Sequence, residues 1–188
     1  MNKIGFFGGC FNPPTIAHFE IVKSVLNTFT LDKIIIVPMG DKYPKKDLIS
    51  FKHRFKMLNK MFEKERKVEI SNMQNNQEKM SYATDSFQII DELYKDDDRF
   101  FIMGLDNFIK INSWKDGENL LLNRKFIVLG RNNYHLQKTI NNKNIYFIDL
   151  NNNTSSTLVR KKIKLKESFE KFIVPEVANY INHMELYK

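Results

Sequence analysis

A length of 188 residues suits one α/β domain spanning residues 1–188, and 42% apolar with 13% aromatic content excludes a disordered or fibrous chain. Cys10 is the only cysteine, which excludes an intrachain disulfide framework or a cysteine zinc site and suits a reducing compartment. The net charge of +8 suits an anionic partner, a polyphosphate or a nucleic acid, unless the lysines simply cover solvated faces. No apolar run nears the ~18 residues of a spanning helix. The N-terminal run is broken by Gly5, Gly8 and Gly9 and lacks a signal-peptide core. A cytoplasmic protein with no membrane partner is expected.

In chain order, short apolar runs predict strands at residues 4–7, 34–37, 68–70, 100–103, 126–129 and 145–148. The runs are nearly continuous rather than alternating, the habit of parallel strands covered on both faces. Helical spacing falls between them. Ile21, Val22, Val25, Leu26 and Phe29 share one face, as do Phe51, Phe55, Leu58, Met61 and Phe62. A third face joins Phe87, Ile90, Leu93 and Tyr94, and a fourth joins Val174, Val177, Ala178 and Ile181, with Pro175 near its start. Strands alternating with helices predict a doubly wound α/β sheet, mostly parallel. No repeat or linker divides the chain.

The segment Gly5-Phe6-Phe7-Gly8-Gly9-Cys10-Phe11-Asn12-Pro13-Pro14-Thr15-Ile16-Ala17-His18 leaves the first strand and opens the first helix. It is neither a GxGxxG fingerprint nor a P-loop. Gly8 and Gly9 would let backbone approach an anion, and Pro13 and Pro14 would stiffen the turn. Thr15 would cap the helix, placing His18 in the first turn at the positive helix end. Far downstream, Thr154-Ser155-Ser156-Thr157-Leu158-Val159-Arg160 offers hydroxyls and unpaired N–H groups at a second helix start, with a guanidinium one turn in.

Together these segments resemble the two signatures, (H/T)xGH and ISSTxxR, of the nucleotidyltransferase superfamily. Further features are similar to its nicotinate- and nicotinamide-mononucleotide adenylyltransferases: Gly104 and Asp106 in a strand-end G-x-D, Trp114 after it, Arg131 after a strand, and a closing helix that ends in Leu186-Tyr187. Ser81-Tyr82-Ala83-Thr84-Asp85-Ser86 resembles the bacterial SYTxDT segment, with Ala83 in place of Thr. Asn12, Thr15, Lys45 and the following His53-Arg54 look more like the eukaryotic enzymes. Cys10 and Ala17 depart from the usual Ser or Thr and Gly.

The resemblance implies a Rossmann-like fold and transfer of AMP from ATP to a pyridine mononucleotide, nicotinate ahead of nicotinamide. It implies catalytic roles for His18, Thr15 and Arg160. It implies ATP contacts from Gly8, Gly9, Cys10, Phe11, Gly104, Asp106, Arg131, Ser155, Ser156 and Thr157. Asn12, Tyr43, Lys45, Tyr82, Ala83 and Trp114 would meet the acceptor. Mg2+ would arrive with ATP, and no carboxylate cage for a resident metal is evident. Phosphopantetheine adenylyltransferase is the nearest alternative. A basic nucleic-acid-binding module, using Lys161, Lys162, Lys164 and Lys166, is the alternative from another class, and it is disfavoured. Homo-oligomerisation stays open. The polar segment 131–144 is a candidate lid, and Cys10 is expected to be buried and inert.

Overall fold

The computed structural model describes residues 1–75, 83–114, 116–130, 142–150, 152 and 154–188, with the backbone alone for Ala83 and Thr84. Six strands form one sheet: β1 (Lys3–Gly9), β2 (Lys33–Pro38), β3 (Val68–Ile70), β4 (Asp98–Gly104), β5 (Lys125–Gly130) and β6 (Ile145–Asp149). Their order is β3-β2-β1-β4-β5-β6, and all five neighbouring pairs are parallel. Each predicted strand is present, most of them longer by a residue or more at an end. The described helices are α1 (Ile16–Thr28), α2 (Phe51–Phe62), α3 (Ala83–Leu93), α4 (Leu105–Phe108), α5 (Gly117–Asn123), α6 (Ser156–Lys164) and α7 (Pro175–His183). None is long and apolar enough to cross a membrane.

The continuous apolar runs now have their physical reason. Phe7, Ile34, Ile36, Ile102 and Ile127 face one core, packed under Val22 and Val25 of α1, Leu58 of α2, Val159 of α6 and Ile181 of α7. The intervening residues Phe6, Ile35, Phe101, Phe126 and Val128 face a second core, with Phe87 and Ile90 of α3, Phe108 of α4 and Leu120 of α5. The sheet is therefore doubly wound. Strand order reverses between β1 and β4, so the helices that follow them, α1 and α4, pack on opposite faces and leave a crevice at the carboxyl ends, the usual ligand position in such sheets.

Two helices depart from the predicted faces. Leu93 ends α3 and is 65% exposed, while Tyr94 turns inward beside it. In α2 the buried stripe is Phe51, Arg54, Met57, Leu58, Met61 and Phe62, so Arg54 occupies an inward position and Phe55 lies only half-buried. The Arg54 Nε donates to the Ile49 carbonyl at 2.8 Å, and Nη1 donates to those of Met39 at 2.6 Å and Cys10 at 3.2 Å. Nη2 donates to the Asp41 carboxylate at 3.2 Å, and that carboxylate also receives the Phe51 N–H at the start of α2. Burial pulls the guanidinium below its ordinary pKa, and the Asp41 hydrogen bond works against that shift.

The chain ends in a Schellman turn. After α7, Glu185 adopts a left-handed φ of 52°, its N–H donates to the Asn182 carbonyl at 3.3 Å, and the Leu186 N–H donates to that of Ile181 at 3.1 Å. The reversal sends Tyr187 back toward the loop after β1.

Arg54→Met keeps an apolar-compatible stem but leaves the carbonyls of Ile49, Met39 and Cys10 without their donor. The expected loss is about 2–4 kcal/mol, the scale for leaving buried backbone acceptors unpaired, read from the urea midpoint. A loss below about 1 kcal/mol would mean that these groups find other partners at little cost.

Candidate active site

The loop leaving β1 is shaped by Phe11, which takes a left-handed φ of 48°. Such a conformation costs a non-glycine residue roughly 1–2 kcal/mol. Here it is offset by burial of the ring, which packs edge-on against Phe7 at 5.4 Å and against His18 at 5.0 Å. Thr15 caps α1, and His18 stands three residues on. The Thr15 N–H donates to His18 Nδ1 at 2.9 Å, with the Thr15 hydroxyl 2.8 Å from the same nitrogen. A ring nitrogen that accepts a backbone N–H carries no proton, so in the neutral imidazole the proton sits on Nε2. The helix cap therefore selects a hydrogen-bond-donating ring on the far side from the cap.

The second helix start is bolted to this loop. Ser155 caps α6 by accepting the Leu158 N–H at 3.2 Å. The Ser156 hydroxyl donates to the Pro13 carbonyl at 2.7 Å. Arg160 Nη1 donates to the Asn12 carbonyl at 2.8 Å, and Nη2 lies 3.4 Å from the Thr157 hydroxyl. The first-turn N–H groups of α6 have no intrahelical partner, which makes this end electropositive.

The other walls come from the ends of β2 and β4. Gly104 caps α4, with Asp106 in the first turn, and a Cβ at Gly104 would meet no atom within 4 Å, so this wall is open. Trp114 closes a 3-10 turn over Ile111–Ser113 and accepts the Gly117 N–H at 3.1 Å. Gly117 is needed there because a Cβ would lie 2.0 Å from the Ile111 carbonyl oxygen. From the loop before α2 come Tyr43 and the exposed Lys45. Burial raises the Tyr43 hydroxyl above its ordinary pKa, with a smaller contribution from Cys10.

These walls enclose a cavity of about 460 Å³, within the usual range for small-molecule sites. His18, Ser155, Ser156 and Thr157 line one side, with Gly8, Gly9, Cys10 and Phe11 at the end of β1. Gly104, Asp106, Trp114, Tyr43 and Lys45 line the rest. A recess of about 70 Å³ shares Ala17, Ile21, Gly104 and Asp106 with it and runs to Leu129 and Gly130 at the end of β5. Among the described residues no group of three or more His, Cys, Asp or Glu is placed to hold a metal ion.

Some sequence assignments look different in three dimensions. Asn12 is 1% exposed and absent from the cavity lining: its amide donates to the Asp47 carbonyl at 2.8 Å and accepts the Tyr187 hydroxyl at 2.9 Å. Thr15 is also fully buried, its hydroxyl against His18, and the partly buried Arg160 is absent from the lining, with one nitrogen on the Asn12 carbonyl. Cys10 is half-exposed and lines the cavity, in contrast to the inert burial its residue type suggests. Arg131, Tyr82 and most of the candidate lid lie outside the described residues, and Ala83 is placed only as the first residue of α3.

Sequence reasoning misses the structural parts of Arg54 and Tyr187. A cation at an inward helical position was a visible signal for Arg54; no local signal marks Tyr187. It also misses Ser86, Phe87 and Ile90 of α3, which line the cavity as well as packing the core.

The family model for cytidylyltransferase-like proteins matches residues 6–162. A protein of Aliarcobacter butzleri named "Probable nicotinate-nucleotide adenylyltransferase" is 38% identical over 165 residues, covering 87% of this chain and 89% of that protein. One of the same name from Acholeplasma laidlawii is 36% identical over 187 residues, covering 97% and 96%. Among solved structures, Plasmodium falciparum nicotinic acid mononucleotide adenylyltransferase complexed with APC shares the fold, with a TM-score of 0.84, 24% identity, and coverage of 100% of this chain and 98% of that one. With its order of strands, its two helix starts at the switch point and these relatives, the chain belongs to the cytidylyltransferase-like family and, within it, to the nicotinate-nucleotide adenylyltransferases.

Proposed function

We propose that residues 1–188 act as one domain that transfers AMP from ATP to nicotinate mononucleotide, forming deamido-NAD and pyrophosphate. The observation that carries this reading is one cavity with His18 and the first turn of α6 on one side and Lys45 and Trp114 on another. A dinucleotide-forming site needs such neighbouring halves, one for a triphosphate and one for an aromatic mononucleotide. The acid is preferred over the amide because α3, whose Ser86 and Phe87 line the cavity, presents its positive end at Ala83. The relatives' names point the same way.

In this reading a 5′-phosphate oxygen of the acceptor attacks the α-phosphorus in line. The new P–O bond forms as the α–β bridge breaks, and its electron pair leaves on pyrophosphate. No protein nucleophile is required, so the chain acts by positioning and by neutralising charge on the leaving oxygens. The Nε2–H of His18 donates to the α-phosphate and bridging oxygen, with Thr15 holding the ring by its Nδ1. The N–H groups at Ser156 and Thr157, with Arg160, hold the outer phosphates, while the Ser156 hydroxyl stays on Pro13. Lys45 draws in the acceptor phosphate, and Trp114 stacks on the pyridine ring. Gly104 and Asp106 border the nucleoside, with Arg131 assigned beside the adenine. Mg2+ is part of the ATP substrate and supplies charge neutralisation on the phosphates. The lone cysteine suits a reducing compartment, and we place the reaction in the cytoplasm.

Pyrophosphate release from Mg-ATP, compared for nicotinate mononucleotide, nicotinamide mononucleotide and phosphopantetheine, tests the reading. Turnover is expected with the first and should exceed that with the second. Turnover with phosphopantetheine alone would replace the acceptor, and an inactive protein that bound oligonucleotides in a salt-dependent way would replace the class. His18→Ala should lower kcat by ~10²–10³, the worth of one preorganised donor; near-normal turnover would remove His18 from the mechanism. Trp114→Ala should weaken acceptor binding by ~1–3 kcal/mol, the scale of one aromatic stack, and leave ATP affinity in place. Loss of ATP affinity instead would reassign the ring.

A further inference from the structure

Asn12 is wholly buried and does not line the cavity, yet three separate segments meet on it and its neighbour Pro13. Its Nδ2 donates to the Asp47 carbonyl at 2.8 Å, in the loop that carries Lys45. Its Oδ1 accepts the Tyr187 hydroxyl at 2.9 Å and, at 3.4 Å, the Ile49 N–H. Its backbone carbonyl accepts Arg160 Nη1 at 2.8 Å, and the adjoining Pro13 carbonyl accepts the Ser156 hydroxyl at 2.7 Å. On its other side Phe11 carries the ring that packs on His18.

Tyr187 comes to this residue from 175 positions away. The chain bends twice to bring it there, with left-handed φ values of 52° at Glu185 and 66° at Tyr187. The second bend seats the Tyr187 ring in the apolar core, where the adjacent Leu186 packs only partly buried. The same bend carries the hydroxyl past the ring to a buried amide oxygen. Burial raises the Tyr187 pKa, so the group remains a donor at neutral pH, flanked by the positive charges of Arg54 and Arg160.

We propose that Tyr187 is a positioning residue for the nucleotide: its hydroxyl fixes the Asn12 amide, and with it the carbonyl on which the Arg160 guanidinium rests. The C-terminal turn thus sets the angle at which Arg160 meets a triphosphate. This inference rests on the reading of Arg160 as a triphosphate ligand.

Tyr187→Phe keeps the ring and removes the donor. It should raise the KM for ATP, and the Kd of a non-hydrolysable ATP analogue, by roughly three- to ten-fold, the worth of one net hydrogen bond. The acceptor KM should rise less, because Asn12 reaches Lys45 only through the Asp47 backbone. Leu186→Ala, which trims tail packing alone, should lower Tm while leaving both ATP constants at their wild-type values, measured well below either Tm. In a double-mutant cycle with Arg160→Lys, the loss of analogue affinity should be less than additive. Wild-type ATP constants in Tyr187→Phe, an equal rise in Leu186→Ala, or additive losses with Arg160→Lys would each overturn the proposal while leaving the adenylyltransferase reading intact. A wild-type protein that binds no nucleotide would overturn both.

Discussion

Arg54 lies where an amphipathic helix would ordinarily place a leucine, and three backbone carbonyls from three different segments converge on it. The reason lies in the sheet. Cys10 and Met39 stand just past the ends of the neighbouring strands β1 and β2, where the ladder no longer supplies their carbonyls with partners. Burying them unpaired would cost roughly 1–3 kcal/mol each. A planar cation with five donors satisfies several at once. The exits of β1 and β2 and the entry to α2 are thereby held around one buried group, and the loop carrying Tyr43 and Lys45 is anchored at both ends.

The same economy joins the two helix starts. The loop before α1 and the first turn of α6 lie more than 140 residues apart, yet the Ser156 hydroxyl and the Arg160 guanidinium donate to consecutive carbonyls, Pro13 and Asn12. A triphosphate gripped from both helices would meet a rigid pair rather than two loops that must be ordered on binding. The direct transfer proposed above would draw on this rigidity, since it relies on placement. His18 illustrates it: the cap at Thr15 fixes its tautomer, and Phe11 fixes its ring plane.

Charge acts on two scales. The net +8 favours anionic ligands at long range, where salt screens it. Inside the cavity, charge takes the form of a few oriented donors at helix ends. The lysines at 161, 162, 164 and 166 contribute to the first scale, and Lys162 is already paired with Glu167 at 2.9 Å.

Local chemistry was legible in the sequence. The six strands follow from apolar runs, the cap at Thr15 from a hydroxyl before helical spacing, and the cavity-lining His18, Ser155, Ser156 and Thr157 from their place at helix starts. These properties act over three or four residues, and a linear reading reaches that far. Inward-facing Arg54, the exposed Leu93, the burial of Asn12 and Thr15, and the arrival of Tyr187 were decided only in the tertiary structure. A helical stripe records which side chains share a face, but burial on that face depends on what the opposite segment supplies. For Arg54 it supplies carbonyls, for Leu93 only solvent, and for Asn12 a hydroxyl from the far end of the chain.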